Sequence, residues 1–155
     1  MQIGFGMIFS ILLIIAIISV SIYAIMYFIG LKDCANVGIF YKDIEERVDK
    51  AWVSTEVQEI FKGYVPRSVK KVCFGNPDIE NYRDEDKEIY KHFGKYGLPE
   101  HNVFMYPDSG CESNLDSFNL AHVRIDEFFC VDNEDNIEIK IIKKSEDSLV
   151  TLTPK

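Results

Sequence analysis

Residues 2–31 read QIGFGMIFSILLIIAIISVSIYAIMYFIGL, and this stretch decides how the rest of the chain is organised. Residues 1–31 contain no Asp, Glu, Lys, Arg or His, so all 17 basic and 25 acidic side chains fall in residues 32–155. A secretory signal peptide has a basic start, an apolar run of about 7–15 residues and a small-residue cleavage site. Here the apolar run is about twice that long, and no Lys or Arg precedes it. As a helix rising about 1.5 Å per residue, it extends roughly 45 Å, more than the ~30 Å hydrocarbon core of a bilayer. The sequence therefore predicts an uncleaved membrane anchor over residues 1–31, rather than a signal peptide or the buried helix of a soluble core.

The remaining residues, 32–155, carry the whole net charge of −8. Phosphate binding needs a clustered basic surface, so nucleic acid is not an expected partner. The charge suits a solvated domain held away from anionic headgroups. Two signals for orientation compete. Lys32, Lys42 and Arg47 follow the span while only the α-amino group precedes it, which favours an inside domain. Four cysteines in a small acidic domain favour the exported side. We expect a single pass through the cell membrane with the C-terminal domain outside, and Tyr23, Tyr27 and Phe28 near the outer interface.

Small residues punctuate the anchor. Gly4, Gly6, Ser10, Ala16, Ser19 and Ala24 are candidates for helix–helix packing, with Ser21 and Gly30 nearby. Small side chains let helix backbones approach closely inside a membrane or a helix-packed core. The partners this predicts are the membrane and further copies of the same chain.

Beyond the anchor the helical pattern continues. Val37, Phe40/Tyr41, Ile44, Val48, Ala51 and Thr55 recur at helical spacing, with Lys42, Asp43, Glu45, Glu46, Asp49 and Lys50 between them. Trp52, Val53, Val57, Ile60 and Phe61 prolong the apolar set, and Gly63 and Pro66 supply a stop. The expectation is one helix of about 60 residues, its part over 34–62 forming the spine of the outer domain. After it, residues 68–74 read as a strand, 79–93 as an amphipathic helix and 101–106 as a second strand. Residues 111–119 read as loop, and 120–131 hold a short element. Residues 137–152 alternate on either side of a turn, as a C-terminal hairpin does. The fold class is α+β: a long N-terminal helix, apolar in its first half and one-sided in its second, packed on a small antiparallel sheet.

Cys34, Cys73, Cys111 and Cys130 are even in number and include no CxxC pair, so neither a zinc ribbon nor a thioredoxin-type motif is present. A helix climbing from Cys34 to residue 62 rises roughly 42 Å. A strand returning at about 3.3 Å per residue comes level with its start after some 11–13 residues, close to Cys73. That geometry predicts Cys34–Cys73 and, by remainder, Cys111–Cys130.

Motifs of catalysis are missing. There is no P-loop, GxSxG, HExxH, GxGxxG or EF-hand pattern. His92, His101 and His122 match no metal-ligand spacing, and the carboxylates of residues 80–88 and of Asp132-Asn133-Glu134-Asp135-Asn136 read as solvated, the last run with weak calcium binding as its alternative. A non-enzyme with no cofactor, no metal and no evident small-molecule substrate is expected.

An apolar N-terminal helix running without a break into an amphipathic helix, then a turn and an antiparallel sheet, resembles the type IV pilin-like superfamily, archaeal pilins included. Pilin precursors carry a short basic leader ending in Gly, whereas this chain opens Met1-Gln2-Ile3-Gly4. Many mature pilins have Glu at the fifth position, where Phe5 stands here. The resemblance implies that residues 1–31 wait in the membrane and then pack with copies of themselves in a filament core. The expected function is that of a pilin-like structural subunit of a surface filament or pseudopilus-type structure. The alternatives are a single-pass accessory protein of an envelope complex whose outer domain binds a partner, and a membrane-tethered enzyme or ligand-binding domain.

Overall fold

The computed structural model describes residues 4–78, 80–94, 100–111 and 115–155. The chain forms two compact units, Met1–Asp33 and Cys34–Lys155. One helix, α1 (Phe5–Trp52), supplies almost all of the first unit and the opening element of the second. The architecture is α+β.

In the second unit, α1 obeys its periodicity closely. Val37, Phe40, Tyr41, Ile44, Val48 and Ala51 are all buried, and the charged residues between them are exposed. The helix ends earlier than the spacing predicts, however. Residues 57–63 are a strand, β1 (Val57–Gly63), and not a last helical stretch to residue 62. The final turn tightens, with Val53 N–H donating to Asp49 O and Ser54 N–H to Ala51 O. Trp52 Nε1 donates to Ser148 O (3.1 Å), and the Trp52 ring stacks on His122 with centroids 3.7 Å apart. These long-range contacts hold the helix end where the local pattern would have extended it. Val57, Ile60 and Phe61 fit a helical stripe, but Val57, Glu59, Phe61 and Gly63 also fit the period of two that pairing with a distant strand selects.

The other strands are β2 (Lys71–Phe74), β3 (Val103–Tyr106), β4 (Ser117–Phe118), β5 (Val123–Arg124), β6 (Phe129–Asp132), β7 (Ile137–Lys143) and β8 (Val150–Pro154). They form two four-stranded sheets, in the orders β1-β7-β8-β5 and β4-β3-β2-β6. The C-terminal hairpin is present as the antiparallel β7–β8 pair. Pairs are antiparallel except β5–β8. The expected helix over 79–93 is shorter: a 3-10 turn at Asp84–Asp86 leads into α2 (Lys87–Gly94), and Ile79 lies outside the described residues. The region 111–119, read as loop, contains β4.

Side-chain alternation sorts the strands into layers. Phe61, Ile137, Ile139, Ile141, Val150 and Leu152 point from the first sheet into the main core, where the buried face of α1 also lies. Val72, Phe74, Val103, Met105 and Phe129 enter the same core from the second sheet. Their neighbours Cys73, Phe104, Phe128 and Cys130 point the other way, into a smaller core closed by Phe93 of α2. The second sheet is thus covered on both faces. The first has an outer face of Gln58, Ile60, Lys62, Glu138, Lys140, Ile142, Thr151 and Thr153, none of them buried.

That alternation also sets the disulfides, which differ from the pairing predicted by chain length. The bonds are Cys34–Cys111 and Cys73–Cys130, not Cys34–Cys73 and Cys111–Cys130. Only a helix reaching residue 62 would bring Cys73 level with Cys34, and α1 ends at Trp52. In the folded chain, Val72 and Phe74 face α1 while Cys73 faces away from it, directly opposite Cys130 in the β2–β6 register. Cys34 instead pairs with Cys111, just ahead of Leu115, whose carbonyl accepts a hydrogen bond from Tyr41 Oη (2.8 Å).

Asparagine side chains satisfy backbone groups where ladders stop. Asn133 Nδ2 donates to the carbonyls of Pro66 (3.1 Å) and Val69 (2.9 Å), pinning the β1–β2 connection. Asn102 bonds Leu120 through both its amide nitrogen and its oxygen, at 2.8 Å each. The buried carboxylate of Asp86 accepts from Cys130 N–H (2.9 Å) on the outer side of β6, so this sheet edge is capped rather than open.

Candidate membrane and assembly segment

The apolar half of α1 is the feature that fold stability does not explain. The helix from Gly6 onward is long and apolar enough to span a membrane, and its most apolar 18-residue window has a mean hydropathy of 2.8 with none of it buried. In the folded chain, large side chains from Met7 to Leu31 stay open, Leu12 at 61% and Phe28 at 68% of full exposure. Continuous exposure on every side of a helix is unfavourable in water, because each exposed Leu or Ile forgoes about 1.5–3 kcal/mol of burial. The same surface is favourable in hydrocarbon, where only the backbone must be satisfied internally.

Polar groups in this segment are met locally. Ser10 Oγ donates to Gly6 O (2.9 Å), Ser19 Oγ to Ile15 O (2.8 Å) and Ser21 Oγ to Ile17 O (2.8 Å). Each hydroxyl spends its proton on the carbonyl four residues back, which suits a medium without water. Tyr27 and Phe28 contact edge to face, with centroids 6.3 Å apart.

Of the six small residues singled out for packing, Gly4 precedes α1 and the other five lie in it. At 3.6 residues per turn, Gly6, Ser10 and Ala24 fall within about 40° of one another around the axis, whereas Ala16 and Ser19 lie roughly 80–180° away from them. They make two small-residue faces, not one stripe. A side-chain carbon built on Gly4, Gly6 or Gly30 meets nothing within 4 Å, so their small size answers no contact among the described residues.

The three histidines have local partners. His101 Nδ1 lies 2.6 Å from Ser117 Oγ, His122 Nδ1 lies 3.2 Å from Asp49 Oδ1, and His92 packs against the rings of Phe93 and Tyr106. Among the described residues no group of three or more His, Cys, Asp or Glu side chains could hold a metal ion. In the acidic turn, Asp132 pairs with Lys71 (3.0 Å) and Asn133 serves the β1–β2 connection. A cleft of about 380 Å³ between α1 and β1 has charged groups in its lining, among which Arg47 pairs with Glu59 and Lys50 with Glu46. The Lys50 hydrogen bond holds the Glu46 carboxyl below its ordinary value. On the outer face of the first sheet, hydrogen bonds from Lys155 and then Lys62 lower the Glu138 carboxyl to about 2.

Comparison of the chain with protein-family models, curated proteins and solved structures finds no match.

Proposed function

We propose that this chain is a membrane-anchored structural subunit that assembles with copies of itself through the apolar half of α1, in the manner of a pilin-like protein, with its α+β domain on the exported side. The observation that carries this reading is the exposed, uncharged run up to Leu31, which has no covering partner within the described chain. A bilayer covers it while the subunit is stored, and neighbouring helices cover it after assembly. Two disulfides in the second unit support export, since such bonds persist in oxidising compartments. The small faces at Gly6, Ser10 and Ala24 and at Ala16 and Ser19 offer close approach to more than one neighbour, as a multi-helix core requires.

Negative-stain microscopy of the native material tests assembly. Filaments whose formation is lost when residues 5–31 are replaced by an unrelated apolar span support the reading. Single dispersed particles from the native chain would refute it and favour an accessory anchored protein.

A further inference from the structure

A subunit of net charge −8 repels its copies unless their contacts bring opposite charges together. The outer face of the first sheet has the sign needed. Lys62 and Lys155 flank Glu138 in one row, and Lys140 stands in the next, between Ile60 and Thr153. On β1, β7 and the residue after β8, three cations thus face one anion, 3 − 1 = +2. Lys140 has no ion-pair partner among the described residues. Arg124 continues the cationic side but is engaged by Asp126 and Asp147. Ile60, 47% exposed, gives this face an apolar centre.

The complementary surface is the segment that covers the second sheet. From Asp78 to Lys91, six acids stand against three bases, 3 − 6 = −3, and only Asp86 of the six is buried. Asp84, at the start of the 3-10 turn, has no side-chain partner among the described residues. The two surfaces lie on different elements and share no residue.

We propose that the outer face of the β1-β7-β8 sheet docks onto the 78–91 segment of a second copy of this chain. The contact is heterologous. Head-to-tail docking pairs Lys140 with the Asp84 side and leaves one surface of each kind free at the ends. Repeated, such a contact makes a ring or an open array and not a closed dimer. This rests on the assembly reading above and adds a second interface, made by the outer domains.

Lys140→Glu and Asp84→Lys break no internal ion pair, so both variants should melt as the wild type does. The full chain in zwitterionic detergent is followed by sedimentation equilibrium. Each variant alone should associate about tenfold more weakly than wild type, because like charges then meet. An equimolar mixture of the two should recover wild-type association to within about twofold, because each variant's altered surface matches the other's. Wild-type behaviour of both variants would overturn the proposed interface while leaving helix-driven assembly intact. Loss without recovery in the mixture would also overturn it. Loss in Lys140→Glu alone, with Asp84→Lys associating as the wild type does, would overturn the 78–91 segment as the surface that the sheet face meets. A wild-type chain that does not associate at all would sink the assembly reading and this one together.

Discussion

Gly75 adopts φ +137°, and a side-chain carbon there would sit 2.7 Å from Phe128 Cα, a backbone atom that cannot swing aside. Gly75→Ala combines a strained conformation with a clash, and chemical denaturation should show a loss of about 2 kcal/mol or more. Asn133 tests a different kind of residue-scale constraint. Asn133→Ala removes the side-chain donor to the Val69 carbonyl and leaves the Pro66 carbonyl with the Val69 N–H alone, and denaturant titration should show about 1–3 kcal/mol of destabilisation. Tyr41 carries a pH signature. Burial, and secondarily the nearby Asp116 carboxylate, push its phenol well above the ordinary value of 10.0. A raised folded-state value means the neutral phenol is preferred, so this contribution is complete below about pH 10 and declines as pH rises beyond it. Ultraviolet titration should show one tyrosine ionising only with unfolding, and Tyr41→Phe should flatten the alkaline loss of stability. Residues such as Tyr41 were legible as core from spacing alone. Gly75 and Asn133 were not, because their roles depend on Phe128 and on residues 65–69, which chain order does not reveal as neighbours.

Among the elements, the part of α1 from Val37 to Ala51 was readable because a one-sided helix writes its burial into a period of 3.6. Its end was not. The sequence VQEIFKG fits both periods, and what selects the strand is a seven-residue antiparallel pairing with β7, from Val57 opposite Lys143 to Gly63 opposite Ile137. The hairpin β7–β8 was legible because its partners are adjacent in the chain. The disulfide pairing departs from the expected one for the same reason as the helix end: α1 stops at Trp52, ten residues short of the rise that would bring Cys73 level with Cys34. The observed pairing is testable by non-reducing peptide mapping, which should return Cys34–Cys111 and Cys73–Cys130 fragments. The bonds span sequence separations of 77 and 57 residues. By chain entropy each contributes about 4 kcal/mol, so Cys34→Ser/Cys111→Ser and Cys73→Ser/Cys130→Ser should each lower the denaturation midpoint substantially.

For the molecule as a whole, the division between an uncharged helix and an acidic domain was the most legible feature, since it follows from where charges begin at Lys32. What covers the uncharged helix is a property of the assembly and not of one chain. The exported placement predicts that the cysteines of the native membrane-bound protein resist thiol labelling until a reductant is added from the outside. The central claim, that the apolar half of α1 packs against copies of itself, is tested most directly by placing a photoreactive amino acid at Ile17, on the face of Gly6, Ser10 and Ala24, in the assembled native material. The account predicts crosslinks between copies, mapping helix to helix within residues 5–31. Adducts to lipid alone, with no crosslinked copies, would contradict it.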